Sequence, residues 1–146
     1  MLRAVVDPGV LISALISPRG APAELVRRWL AGEIQFLWSP LLMNEFESVC
    51  RRPRFRAWFS ESEAVAIADL LRDSGEKCND VSTGAATPPD DGDLYLVDLA
   101  IASGADCLVT GDSALLDHGR VLAHGTLTVR IATPRQVIGA LDDLWR

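Results

Sequence analysis

Basic charge is scarce in this chain. Fourteen lysines and arginines face twenty aspartates and glutamates, a formal net charge of −6, and Lys77 is the only lysine. A protein that holds nucleic acid on a broad cationic face needs many cations opposite phosphates, because counterion release drives that kind of binding. The charge balance excludes that class. It does not exclude nucleic acid as a substrate, since a metal ion held by surplus carboxylates supplies positive charge where phosphates need it. Cysteine is sparse too. Cys50, Cys78 and Cys107 are odd in number, widely spaced and without a metal-ligand rhythm, which argues against a disulfide framework or a zinc site and for small buried hydrophobes in a reducing compartment.

Long apolar runs are also missing. No stretch approaches the length of a membrane span, and the N-terminus has no charged segment leading into a signal-length apolar core. The expectation is a soluble, cytoplasmic protein with no membrane association. There is no internal repeat or long charge block, and Ser82 to Pro89 is the one low-order stretch. What is abundant is hydrophobic content, 49% of 146 residues, enough for one domain over residues 1–146 with a substantial core.

The chain is organised around Ala4 to Ile12. An apolar run ends in Asp7, a Pro-Gly pair follows, and a second apolar run with helical spacing begins. This pattern predicts a buried strand over Leu2 to Val6 that delivers Asp7 to its exposed end, then a helix over Val10 to Ile16. A second helix from Pro22 pairs Leu25 with Trp29 and Val26 with Leu30, turns Arg27 and Arg28 outward and stops at Gly32. Ile34 to Trp38 fits a strand. Ser39-Pro40 then caps a helix over Leu41 to Cys50, with Leu42, Phe46 and Val49 inward and Glu45 on another side.

Farther along, Ser60 to Glu63 form a capping box for a helix ending at Gly75, and Cys78 to Val81 fit a short strand. Leu94, Val97, Ala100 and Ile101 give a helix capped by Gly104. Ala105 to Thr110 give a strand, Ser113 to Leu116 a helical turn, Leu127 to Ile131 a last strand, and Thr133-Pro134 the cap of a final helix. Strands alternating with helices imply an α/β domain with a central parallel sheet and helices on both faces. Ligands in such sheets gather outside the carboxyl ends of the strands.

Acidic residues fall at that edge: Asp7 after the first strand, Asp112 after the strand ending at Thr110, Asp93 before the intervening helix, and Glu45 on the non-core side of its helix. Each alone has a structural explanation as a helix cap, a turn residue or a solvated face. Together, close carboxylates repel, and a divalent cation resolves the conflict. All-oxygen ligands point to Mg²⁺ or Mn²⁺ rather than zinc. Such ions activate water for phosphodiester hydrolysis. Thr110 and Ser113 flank Asp112, where they can orient ligands or water, and Asp90 is a weaker acidic candidate.

Val6 to Leu15, Ser39 to Glu45, Asp90-Asp91-Gly92-Asp93 and Leu108-Val109-Thr110-Gly111-Asp112 resemble the successive motifs of PIN-domain ribonucleases, most closely the toxin components of toxin-antitoxin pairs. The likeness runs in order from Leu2 to about Val137. It implies a single PIN-like domain with metal-dependent endoribonuclease activity, in which Asp7, Glu45, Asp93 and Asp112 are the catalytic metal ligands for Mg²⁺ or Mn²⁺. It also implies an RNA substrate, a cognate antitoxin protein and a homodimer. The pattern departs at Gly9, where the family usually has an asparagine whose amide supports the acidic site.

Arg51, Arg52, Arg54 and Arg56, interleaved with Phe55 and Trp58, fit an RNA-backbone or antitoxin contact, or equally a solvated edge with its aromatics in the core. Asp98 lies five positions beyond Asp93, about 140° around a helix, so it is expected to point away from the site. His118 and His124 are expected at the surface, and Trp145 in the core or an interface. A phosphoryl-transfer enzyme with an aspartyl phosphate also uses an Asp after its first strand. It needs a second Asp two residues on and a lysine at the phosphate, where this chain has Gly9 and the distant Lys77. A binding protein with the same fold is the non-enzymatic alternative.

Overall fold

Five strands run parallel because each pair is joined by a crossover through helices rather than by a hairpin. The computed structural model describes residues 1–81, 94–117, 120–123 and 127–144. Strand β1 (Leu2–Val6) leads to α1 (Pro8–Ile16) and α2 (Ala21–Leu30), and β2 (Ile34–Trp38) leads to α3 (Pro40–Cys50). A 3₁₀ turn (Pro53–Ala57), α4 (Glu61–Ser74) and β3 (Glu76–Lys77) follow. The chain continues through α5 (Leu94–Ala102), β4 (Cys107–Val109), α6 (Ser113–Leu116), β5 (Arg120–Ala123), β6 (Leu127–Ala132) and α7 (Pro134–Leu144).

The sheet order is β3-β2-β1-β4-β6-β5, with only β5 antiparallel to its neighbour. From β1 the chain first builds outward through β2 and β3. It then returns to place β4 on the other flank of β1, so the order reverses between β1 and β4. That reversal leaves a crevice beyond the carboxyl ends of those two strands. Asp7 N–H donates to the Val109 carbonyl at 2.9 Å, locking the two strand exits together.

Helices surround the sheet. α1 packs against α2, α3 and α4, α7 lies against α2, and α5 lies on β1, β4, β5 and β6. The central strands are buried over most of their length, as their largely apolar sequences predict: Ala4, Val5, Val6, Phe36, Leu37, Leu108 and Val109 are all inaccessible or nearly so. Trp29 on α2 stacks on Phe36 of β2 with ring centroids 4.7 Å apart, worth about 1 kcal/mol beyond the area buried. Cys50 and Cys107 are free and buried. Burial pushes their thiols up to about 11 and about 12, which leaves them as inert core atoms. Among the described residues no helix is long and apolar enough to cross a membrane.

Several local expectations need correction. Cys78 to Val81 is not a strand; the pairing with β2 falls on Glu76–Lys77, immediately after α4. The sequence pattern does not reveal β5, which pairs antiparallel with β6. Helix α1 starts at Pro8, not Val10, because the Asp7 side chain caps it. Leu30 is exposed, whereas Arg28 is largely covered, with Glu33 and Asp142 each 2.8 Å from its guanidinium. The guanidinium can be partly covered because two carboxylates neutralise it. The Ser82 to Pro89 stretch, Asp90, Asp91, Asp93, His118, His124 and Trp145 lie outside the described residues.

Candidate active site

Asp7 is fixed from three directions. It is the N-cap of α1, its Oδ1 accepting from Gly9 N–H at 2.9 Å, and Pro8 at the first helical position has no N–H to leave unsatisfied. Its Oδ2 accepts from the Thr110 hydroxyl at 2.8 Å. Its backbone N–H is held by Val109, as above. Asp112 repeats the arrangement at the end of β4: it is the N-cap of α6, and Oδ1 accepts from Ala114 N–H at 2.9 Å.

Thr110 joins the two. Wholly buried, it donates its hydroxyl hydrogen to Asp7 and accepts from Asp112 N–H at 3.0 Å, while its own N–H donates to the Ala132 carbonyl of β6 at 3.0 Å. One hydroxyl thus sets the spacing of two loop aspartates on neighbouring strands. Both carboxylates are half-buried and line a single open cleft of about 520 Å³. Gly9, Ser13, the first residues of α2 and Thr133-Pro134-Arg135 at the start of α7 line it as well.

The other expected site residues are placed less closely. Glu45 on α3 is half-buried and accepts a 2.6 Å hydrogen bond from the Tyr95 hydroxyl in the first turn of α5. It is not among the residues lining the cleft of Asp7 and Asp112. Asp93 and Asp90 fall outside the described residues. Ser113 is exposed beside Asp112. Asp98 is buried within α5, at 5% exposure.

Arg51, Arg52 and Arg54 are exposed, with Arg54 over the Phe55 ring. Arg56 is engaged locally, donating to the Cys50 carbonyl, lying over Phe59 and sitting 3.6 Å from Glu61. Phe55 and Phe59 are buried and stacked; Trp58 is exposed. The segment therefore has its two phenylalanines in the core and its tryptophan outside.

Sequence reading misses two residues in this neighbourhood. Tyr95, the only tyrosine in the chain, holds Glu45 from a helix fifty residues away, and no local periodicity reveals such a pairing. Arg135 follows the Thr-Pro cap, so it stands at the carboxyl edge next to β6. The rule that ligands gather at that edge could have singled it out.

The donor set suits a hard cation. The described cleft carboxylates are two, all-oxygen, and oriented by neutral donors, and Oδ2 of Asp112 has no hydrogen-bond partner among the described residues. Mg²⁺ typically uses one or two protein carboxylates and retains waters. Among the described residues no group of three or more His, Cys, Asp or Glu side chains is assembled for a metal.

Residues 3–114 match the model of the PIN domain family. The uncharacterized protein MJ1680 of Methanocaldococcus jannaschii is 24% identical over 140 residues, covering 94% of this chain and 90% of its own. Among solved structures, PAE2754 from Pyrobaculum aerophilum superposes with a TM-score of 0.63 at 15% identity, over 97% of this chain and 90% of that one. A chain of VapBC2 from Rickettsia felis, solved bound to a DNA fragment from their promoter, gives 0.56 at 12% identity, over 90% and 98%. With its strand order, its switch-point aspartates and the family match over most of its length, this chain belongs to the PIN domain family.

Proposed function

We propose that this PIN domain is a metal-dependent endoribonuclease of the cytoplasm, the toxin of a toxin-antitoxin pair. The observation that carries the proposal is the placement of Asp7 and Asp112 in one cleft at the sheet's switch point, spaced by the Thr110 hydroxyl. PIN domains are generally nucleases, and the fold likeness to a VapBC2 chain supports the toxin assignment. Asp7 and Asp112, with Glu45 and Asp93 completing the set, would hold Mg²⁺ or Mn²⁺. A bound ion of this kind supplies an activated water and offsets charge building on the phosphate.

The chain's own contribution is orientation. Backbone N–H groups and the Thr110 hydroxyl hold both aspartates in place before any ligand arrives, so little rearrangement is needed on binding. The reaction is hydrolysis: a water oxygen bonds to phosphorus, the bond from phosphorus to one ribose oxygen breaks, and that oxygen leaves with a proton. A cognate antitoxin and a homodimer belong to the same proposal, as does a contact to RNA or antitoxin through Arg51, Arg52, Arg54 and Arg56.

One feature favours a second assignment, a catalytically weakened PIN protein that binds metal or RNA in a regulatory role. Gly9 stands exposed beside Asp7 and carries no side-chain amide. The deciding experiment is an RNA cleavage assay with Mn²⁺ or Mg²⁺, with and without EDTA, on wild type and Asp93→Asn. Cleavage by wild type alone, abolished by EDTA, is expected. Equal cleavage by both proteins, or none of any RNA offered, removes the nuclease proposal. A small antitoxin gene directly upstream would support the toxin role.

A further inference from the structure

We infer that Arg135 holds a phosphate of the RNA strand beside the acidic pair, so that one end of the cleft takes the cation and the other the substrate's backbone. The inference rests on the nuclease proposal for this cleft. A phosphodiester is an anion, and it must approach two carboxylates on a protein of net charge −6. A cation held by the carboxylates would offset that repulsion at the scissile phosphate; the neighbouring phosphates of the strand need another partner.

Arg135 is placed to be that partner. It stands in the first turn of α7, its side chain is exposed, and it lines the same cleft as Asp7 and Asp112. No ion pair engages it among the described residues, whereas Arg3, Arg27, Arg28, Arg56 and Arg72 are each paired with a carboxylate. Among the described residues no carboxylate offsets its charge. A guanidinium offers a planar fork of N–H donors that matches two phosphate oxygens.

The surroundings reinforce this. Ser13, one turn along α1 from Gly9, brings a hydroxyl donor to the cleft, and the N-terminal residues of α2 and α7 line it too. Those helices have ten and eleven residues, so the positive ends of two full dipoles add to the potential there.

The test is RNA cleavage with Mn²⁺ at several KCl concentrations for wild type, Arg135→Ala and Arg135→Lys, alongside direct titration of Mn²⁺ binding. Arg135→Ala should raise KM roughly tenfold, in the range of one lost charge-assisted contact. It should also flatten the log–log salt dependence of kcat/KM by about 0.7, one phosphate contact on a single strand. Mn²⁺ affinity should stay unchanged. Arg135→Lys should regain the salt dependence and part of KM.

An Arg135→Ala variant with wild-type KM and salt slope would overturn the inference. So would a loss that follows Mn²⁺ affinity alone, since Arg135 would then only tune the carboxylates. If wild type cleaves no RNA, the nuclease proposal falls and this inference with it; active wild type with an indifferent Arg135→Ala sinks the inference alone.

Discussion

The two ends of the sheet use charge in opposite ways. At the amino ends of β1 and β4, one guanidinium is neutralised by a carboxylate of β3. The Arg3 guanidinium pairs with Glu76 and donates to the Ser103 carbonyl at 2.9 Å, and Arg3 N–H donates to Asp106 Oδ2 at 2.8 Å. The hydrogen bond to Arg3 holds the Glu76 carboxyl below the usual range. At the carboxyl ends, Asp7 and Asp112 are held by backbone N–H groups and one buried hydroxyl, all neutral donors. Among the described residues neither carboxylate has a counter-ion, which suits a cation that arrives from outside. The amino end is therefore read as a stabilising clamp and the carboxyl end as a binding site.

That contrast predicts a separation of effects, largest at the carboxyl end. Asp7→Asn and Asp112→Asn keep a side-chain oxygen to cap α1 and α6 but remove the charge. Cleavage should fall at least about a hundredfold, since several kcal/mol of charge stabilisation is lost, while the melting temperature hardly moves. A large loss of stability in both variants would mean that these aspartates serve the fold. Thr110→Val should cut activity by roughly ten- to a hundredfold. It should also cost about 1–3 kcal/mol in denaturant unfolding, because Asp112 N–H loses its buried acceptor. Thr110→Ser should restore both.

A smaller change tests the departure at Gly9. A Cβ there would meet nothing nearer than Asp7 Oδ1 at 3.5 Å, an ordinary contact, so an asparagine side chain can be accommodated. Gly9→Asn should raise cleavage several-fold in a kinetic assay by adding an amide donor beside Asp7, about 1 kcal/mol in the reaction barrier. Unchanged kinetics would make the missing asparagine irrelevant here.

The smallest effect belongs to the amino end. Glu76→Gln should cost under about 1 kcal/mol, because the pair is partly exposed, and should leave cleavage untouched. The sign of its pH dependence follows from a folded pKa below the unfolded one. Wild type holds this increment above the unfolded carboxylate pKa and loses it as pH falls through the lower folded value, so the wild-type and Glu76→Gln melting temperatures should converge in acid.

Much of this architecture was legible from local pattern. The central parallel strands announce themselves as largely apolar stretches, and Ser39-Pro40, the Ser60 capping box and Thr133-Pro134 mark helix starts that the structure places within a residue. Asp7 and Asp112 were legible because each ends an apolar run. Less visible were features set by distant partners. Strand β5 exists because β6 offers it an antiparallel edge, Arg28 is covered because α7 brings Asp142 over it, and Tyr95 meets Glu45 across two helices. Such contacts follow from topology, which periodicity along one element does not encode.

The contrast between the two ends is tested most directly by anomalous diffraction from crystals grown with Mn²⁺. A manganese peak is expected in the cleft at about 2.0–2.3 Å from carboxylate oxygens of both Asp7 and Asp112, absent from the Asp7→Asn and Asp112→Asn crystals. No peak there at millimolar Mn²⁺, or an equal peak in both variants, would contradict that contrast.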